Sequence, residues 1–219
     1  MYLYYDIETV PDTKLPKDLE DALMDNVKPD ARARDKEASL IEKREKLREE
    51  FGLYPLTNQI AAIVAVAVSD KGTKEFKLCT VQEKGLLTKF NHFVTECARE
   101  WAEAVIPVTF NGKSFDHHCL FVKYAQYALE PPPFGFRFGK YDDNHLDLRM
   151  ILVNYDQYGR GTLDIWARRL GYPELEKQEH KGSDIKLLFE TKQFDTIVEK
   201  CAGDVDRLIY IHRKLQPYL

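Results

Sequence analysis

The chain opens on a short run of β-branched and aromatic residues, 2–9, that contains two acids, Asp6 and Glu8. Such a run favours a β-strand. Residues two apart on a strand project from the same face, so both carboxylates point to one side and Ile7 points to the other. Two neighbouring carboxylates repel each other unless a cation lies between them, and oxygen ligands suit Mg²⁺ or Mn²⁺. A strand end that faces water explains the pair equally well.

A second apolar run, residues 105–110, is followed by Asn111-Gly112, which is a strong turn signal. The residues after this turn have the spacing of an amphipathic helix, and we expect Ser114 to be its N-cap. Asp116 then lies in the first helical turn, where the helix dipole stabilises a carboxylate with or without a metal. We expect the two histidines that follow Asp116 to be surface or packing residues.

The C-terminal segment carries a helical stripe of apolar residues at positions 197, 201, 205, 208 and 215. Asp204 falls at the border of this stripe, so its carboxylate can reach inward. The helix period turns Asp206 away from Asp204 by roughly 200°. A solvated helix face explains each of these acids when it is taken alone.

Together these segments resemble the DEDD superfamily of 3′→5′ exonucleases, and above all the predicted exonucleases related to the proofreading domain of family B DNA polymerases. The matching stretches are residues 6–12, 109–116, 145–148 and 201–205. The resemblance implies an α/β fold of the RNase H-like (exonuclease) type, with a mixed central sheet flanked by helices. It also implies that two divalent metal ions, Mg²⁺ or Mn²⁺, are held by four acids: Asp6, Glu8, Asp116 and Asp204.

The resemblance further implies hydrolysis of phosphodiester bonds by a two-metal mechanism. We expect the 3′ end of single-stranded DNA as the substrate. An RNA-trimming exonuclease of the same superfamily fits the sequence too, as does a catalytically weak module that binds nucleic acid or a partner protein. By the same resemblance Thr9 holds the terminal nucleotide, Asn111 and Phe115 line the cleft, and Asp147 begins a helix beside the site. Turn formation and packing explain Asn111 and Phe115 equally well.

One position departs from the family pattern. Family members carry a Tyr four residues before the last Asp, and others in the superfamily carry a His five before it, to position the attacking water. Here those positions hold Lys200 and Glu199. We expect Lys200 to be catalytic by binding the scissile phosphate as an ammonium. The alternatives are an exposed lysine on a solvated face, and a water-orienting role for His180.

The chain has 219 residues and a net charge of −4, so it is long enough for a sizeable core and has no globally basic surface. We therefore expect a single domain over residues 1–219 that binds nucleic acid through a local basic rim.

No apolar run is long enough to span a membrane, and the first residues predict a strand rather than a signal peptide. The four cysteines lack disulfide or metal-site spacing, which favours a reducing compartment. These features predict a cytoplasmic protein.

Residues 12–57 separate the first predicted strand from the next one. A structureless loop of that length is uncommon, so we expect a helical insertion with two helices. Its cations suit a clamp for the substrate strand, although the interleaved acids suit a solvated helix at least as well. The cations are Arg32, Arg34, Lys36, Lys43 and Arg44.

After this segment the pattern predicts strands over 59–68, 74–80 and 105–110, and helices over 84–104 and 162–171. This order is typical of an α/β protein, and the RNase H-like assignment comes from the resemblance.

The stiff loop 131–141 carries four aromatic residues and two cations. Aromatic side chains beside basic groups hold single strands by stacking on bases, each stack being worth about 1–3 kcal/mol. Packing over the edge of the core explains the same aromatics as well. They are Phe134, Phe136, Phe138 and Tyr141.

Overall fold

The computed structural model describes residues 1–139, 144–156, 158–173 and 182–219. In these ranges the chain forms a five-stranded mixed sheet flanked by helices, with the strand order β3-β2-β1-β4-β5. The strands are β1 (Tyr2–Pro11), β2 (Asn58–Ser69), β3 (Gly72–Cys79), β4 (Ile106–Thr109) and β5 (Leu146–Asp147). β2 runs antiparallel to β1 and to β3, whereas β4 runs parallel to β1 and to β5. The predicted α/β class is confirmed.

The α-helices of the same ranges lie between and after the strands. They are α1 (Lys17–Asp25), α2 (Lys36–Glu49), α3 (Glu83–Trp101), α4 (Asp116–Gln126), α5 (Leu148–Leu152), α6 (Leu163–Arg169), α7 (Ile185–Glu190) and α8 (Phe194–Leu215). A short 3-10 helix, Glu50–Leu53, follows α2. Within the described parts of the chain, no helix is long and apolar enough to cross a membrane.

The sheet separates two apolar layers. Tyr5 is buried with residues of α3 and α4 on one face, and Tyr4 is buried with residues of α5, α6 and α8 on the other. Residues 60–65 of β2 have no exposed surface, as the continuous apolar run predicts for a strand covered on both faces. Because side chains alternate along a strand, Asp6 and Glu8 share the face of Tyr4 and point toward α8.

The start of α4 corrects one prediction. Ser114 is not the N-cap: it is exposed, the helix begins at Asp116, and the capping position is held by Phe115 without a side-chain hydrogen bond. The reason lies in the preceding turn, because the N–H of His117, which a cap at Ser114 would accept, donates to Gly112 O at 2.8 Å. That donor is therefore satisfied without a serine cap, and the helix begins two residues after Ser114.

The segment between β1 and β2 contains α1 and α2. None of the residues of α2 is buried, which agrees with a solvated helix. Three of its cations bind backbone carbonyls within the segment. Lys36 donates to Asp30 O at 2.7 Å, Lys43 to Lys28 O at 3.2 Å and Arg44 to Met24 O at 3.0 Å. These contacts tie α2 to α1 and to the connection between them, so three members of the expected clamp hold the segment together.

The aromatic loop packs largely on the core. Phe134 is 8% exposed and its ring lies 6.2 Å from that of Tyr5. Phe136 is partly buried against the same layer. These two residues therefore have the packing role that was named as the alternative. Phe138 is 45% exposed, and Tyr141 lies outside the described residues.

Candidate active site

The centre of the candidate site is the pair of acids on β1. Glu8 is 8% exposed, and the pairing of β1 with β2 shifts register directly after it. The buried thiol of Cys201, on α8, donates to Asp6 Oδ2 at 3.2 Å and to Asp6 O at 3.3 Å. Ligand atoms of Asp6, Glu8 and Cys201 all lie within 4.8 Å of one another. This spacing is close enough for one metal ion to contact all three.

Asp116 joins this pair from the other side of the sheet. It is the first residue of α4 and is 5% exposed. Its Oδ1 accepts the backbone N–H of Ile7 at 3.1 Å, and Ile7 stands between Asp6 and Glu8 on β1. The hydrogen bond fixes the start of α4 against the strand. Two of the three acidic clusters are thus in direct contact.

Asp147 positions the turn that precedes Asp116. As the N-cap of α5 it accepts the N–H groups of Arg149 and Met150, as the resemblance implies. The same carboxylate accepts Asn111 N–H at 2.8 Å and Lys113 N–H at 3.0 Å. Asn111 adopts a left-handed φ of 66° there. One side chain therefore satisfies four backbone donors and links the turn to α5.

α8 contributes the remaining acid. Lys200 lies one helical turn before Asp204, and its Nζ donates to Asp204 Oδ2 at 3.3 Å and to Glu8 Oε1 at 2.5 Å. Arg207 is 2% exposed, and its Nη1 donates to Asp204 Oδ1 at 2.7 Å. Asp206 is exposed on the opposite side of the helix, as its position in the helix period predicts. Asp204 is thus linked to Glu8 through the amine of Lys200.

Burial and mutual repulsion disfavour the charged forms of these acids. Burial raises the pKa of Asp6 well above its usual value, and the carboxylates of Asp116, Asp204 and Glu8 raise it further, against the charge of Lys200. Such a group is stabilised as an anion by a cation placed beside it.

Two further groups respond to the same surroundings. Burial raises the pKa of Asp116 to about 7, although backbone N–H donors oppose the shift. For Lys200, burial lowers the pKa, but the carboxylates of Glu8, Asp204 and Asp6 outweigh burial and raise it overall. The oxygen donors therefore fit a divalent cation such as Mg²⁺ or Mn²⁺, with Cys201 as a softer neighbour.

The expected substrate-binding residues lie around this centre. Thr9 Oγ1 donates to Gly52 O at 2.7 Å, which joins β1 to the 3-10 helix after α2. Asn111 forms the turn, and Phe115 is partly buried against the layer of α3 and α4. Asn111 and Phe115 thus have the turn and packing roles named as alternatives. For all three residues, contact with substrate stays a prediction.

Cys201 and Arg207 were missed as site residues by the sequence reasoning. The apolar stripe of the helix indicates that Cys201 faces inward. It does not indicate the contact with Asp6, because that contact depends on how α8 packs against β1. Arg207 had one available signal, its position three residues after Asp204 on the same helix face. His180 lies outside the described residues.

The two histidines after Asp116 have the roles that the sequence predicts. His117 is buried, and its Nδ1 lies 3.0 Å from the hydroxyl of Tyr5. His118 is exposed, and its ring contacts that of Phe138.

Residues 50–216 match a family described as predicted 3′–5′ exonucleases related to the exonuclease domain of PolB. The chain belongs to this family. The membership confirms the resemblance seen in the sequence and supports exonuclease activity in general. The matched segment includes Asp116, Lys200 and Asp204 and begins after β1, so Asp6 and Glu8 lie outside it. A comparison with curated proteins found no match.

Proposed function

We propose that the protein is a metal-dependent 3′→5′ exonuclease that hydrolyses phosphodiester bonds at the 3′ end of single-stranded DNA. One observation carries the proposal: acids from β1, α4 and α8 converge at one place beside the sheet. The hydrogen bond from Ile7 to Asp116 and the amine of Lys200 between Glu8 and Asp204 define this convergence. Family membership supports the direction of hydrolysis.

We also propose that the fold is of the RNase H-like type. The strand order β3-β2-β1-β4-β5, in which β2 alone among these strands runs against the others, supports this assignment. Helices cover both faces of the sheet, as a mixed α/β architecture requires. The acids then lie on the central strand and on the helices that flank it.

The chemistry requires positive charge beside an anionic phosphodiester. Asp6, Glu8, Asp116 and Asp204 are the residues that would hold the divalent ions, two according to the resemblance. Mg²⁺ or Mn²⁺ bound there would neutralise the phosphate and acidify the attacking water. Lys200 contributes a further charge close to the acids, where it can contact the scissile phosphate.

The substrate end is held, in this proposal, by the residues around the acids. Thr9 lies directly after the register shift that follows Glu8, and Asn111 and Phe115 belong to the turn that leads to Asp116. These three residues place the terminal nucleotide over the acids. Phe138 is exposed and offers one face on which an unpaired base can stack.

The test uses two oligonucleotides of the same base sequence, one DNA and one RNA, each labelled at the 5′ end. Each is incubated with Mg²⁺, Mn²⁺ or EDTA and with wild type, Asp6→Asn or the matched control Asp206→Asn. We expect a ladder of DNA shortened from the 3′ end with wild type and with Asp206→Asn, but not with Asp6→Asn or EDTA. A ladder from the RNA alone would favour the RNA-trimming enzyme. Intact bands under every condition would favour a non-catalytic module and refute the proposal.

A further inference from the structure

The amine of Lys200 occupies the space between two acids of the candidate site. Its Nζ lies 2.5 Å from Glu8 Oε1 and 3.3 Å from Asp204 Oδ2. The three side chains are only 13%, 11% and 20% exposed, in the order Lys200, Glu8, Asp204. β1 and α8 therefore direct one carboxylate each toward the same ammonium. A cation coordinated by Glu8 and Asp204 together would have to take that place.

The other oxygen of Asp204 is engaged as well. Arg207 Nη1 donates to Asp204 Oδ1 at 2.7 Å, and this arginine is buried. Each oxygen of Asp204 thus receives a charged donor from its own helix, and such bonds are about twice as strong as neutral ones. Asp6 differs, because the described residues give its side chain one donor, the thiol of Cys201.

We propose that the ammonium of Lys200 supplies one of the two positive charges of the hydrolytic site, so that the chain binds one divalent ion, at Asp6 and Glu8 beside Cys201, rather than two. This inference rests on the proposed exonuclease function and changes its metal requirement. Asp204 then serves as a positioning residue that orients the amine.

The balance of charge supports this arrangement. When ionised, the four acids carry four negative charges, and Lys200 and Arg207 offset two of them. One divalent ion neutralises the remainder. A second would have to enter beside two fixed cations, which repel it. An ammonium is moreover a suitable ligand for a phosphate oxygen, as a point charge on a flexible stem.

The inference is tested by counting the Mn²⁺ ions bound per chain. Free Mn²⁺ is measured by electron paramagnetic resonance during a titration, with and without thymidine 5′-monophosphate as a mimic of the product. We expect about one ion per wild-type chain, because oxygen ligands for one site remain available. Lys200→Met removes the ammonium but keeps the stem, and the count should rise to about two. Lys200→Arg should restore about one, since it restores the charge.

Lys214→Met is the matched control, because Lys214 is an exposed lysine on the same helix. It should bind as many ions as wild type. Thermal unfolding of each variant checks that it is folded, and the wild-type count decides the matter even if Lys200→Met does not fold. Two ions on wild type would overturn the inference and leave the exonuclease proposal intact. No bound Mn²⁺, together with no shortening of DNA or RNA, would overturn both.

Discussion

Two acids in this protein, Glu83 and Asp6, are held in contrasting ways. On the side of α3 and α4, both oxygens of Glu83 are bonded, to Ile60 N–H at 2.5 Å and to the hydroxyl of Tyr127 at 2.9 Å. On the side of α8, the carboxylate of Asp6 receives the weak thiol donor of Cys201, the one donor that the described residues give it. Glu83 is buried and Asp6 is partly buried, but the oxygens of the two acids are satisfied to different degrees.

The contrast separates an acid in structural surroundings, Glu83, from one in the surroundings expected of a functional site, Asp6. Burial raises the pKa of Glu83, but the N–H of Ile60, the charge of Lys123 and the hydroxyl of Tyr127 oppose that shift. At Asp6, burial and the neighbouring carboxylates act in the same direction. A buried acid with weak donors and like charges nearby is costly to keep, and such groups are concentrated at functional sites.

The largest expected difference between the two acids is in catalysis. Asp6→Asn should slow the shortening of DNA from the 3′ end by at least about 10²–10³-fold, the effect of losing one electrostatic group in an active site. Its stability should be unchanged or higher, because a like charge is removed. Glu83→Gln should keep the wild-type rate. The measurements are single-turnover rates and urea unfolding. A wild-type rate in Asp6→Asn would place the catalytic centre elsewhere.

Metal binding should separate the same two variants. A ligand that binds the native state alone stabilises it by about 2.7 kcal/mol at a hundred times its Kd. Mn²⁺ should therefore raise the melting temperature of wild type and Glu83→Gln, but not that of Asp6→Asn. Differential scanning calorimetry with and without EDTA measures the shift. Equal shifts in all three proteins would show that Mn²⁺ binds away from Asp6.

For stability we expect the larger effect at Glu83 and the smaller one at Asp6. Glu83→Ala leaves Ile60 N–H and the hydroxyl of Tyr127 without their acceptor, which should cost about 2–3 kcal/mol of unfolding free energy. Glu83→Gln keeps one acceptor oxygen and should lose less. Urea unfolding gives both values. If Glu83→Ala lost activity in proportion to Asp6→Asn while remaining folded, the distinction between the two acids would be wrong.

A smaller effect concerns the dependence of stability on pH. Burial raises the pKa of Asp116 from 3.8 to about 7 in the folded protein. The folded state therefore binds the proton more tightly than the unfolded state. This contribution to stability is complete below 3.8 and is lost as the pH rises through about 7, with a slope of at most about 1.4 kcal/mol per pH unit.

Asp116→Asn should flatten this part of the profile. Urea unfolding of wild type and Asp116→Asn in EDTA, between about pH 5 and pH 8, measures the slope that one titrating group can produce. Asp21→Asn, at an exposed position on α1, is the control and should keep the wild-type slope. An unchanged slope in Asp116→Asn would assign the titration to another acid.

Local sequence patterns predicted much of this fold. The alternation of β1 placed Asp6 and Glu8 on one face, and the period of α8 placed Asp204 inward and Asp206 outward. These inferences succeeded because each depends on the geometry of a single element. The order of strands and helices was likewise predicted from apolar runs and turn signals.

Contacts between elements were not predictable in this way. The bridge from Lys200 to Glu8 joins residues 192 positions apart, and nothing local to either residue indicates it. The cap expected at Ser114 failed because the N–H of His117 bonds to Gly112 O instead, in a turn held by the carboxylate of Asp147 more than 30 residues later. The roles of the acids in metal binding remain predictions, supported by their convergence.

Asp147 combines features of Glu83 and of Asp6, and we expect its substitution to have the smallest effect on rate and stability. Its oxygens accept four backbone N–H groups, as in a structural acid, but two of these donors belong to the turn that leads to Asp116. Asp147→Asn keeps Oδ1, which accepts three of the four, and loses the oxygen that accepts Lys113 N–H. We expect a loss of about 1 kcal/mol in stability. We also expect hydrolysis to slow several-fold, because the turn no longer holds Asp116 as firmly.

The matched control is Asp35→Asn, at the N-cap of α2, where the side chain accepts Ala38 N–H at 3.0 Å. Asparagine caps a helix about as well as aspartate, so this change should cost less than about 0.5 kcal/mol and leave the rate unchanged. The decisive comparison is between rate and stability in Asp147→Asn. If stability falls while the single-turnover rate stays at the wild-type value, Asp147 acts as a helix cap alone. If the rate falls while Mn²⁺ binding is retained, the position of Asp116 depends on an acid that does not itself bind metal.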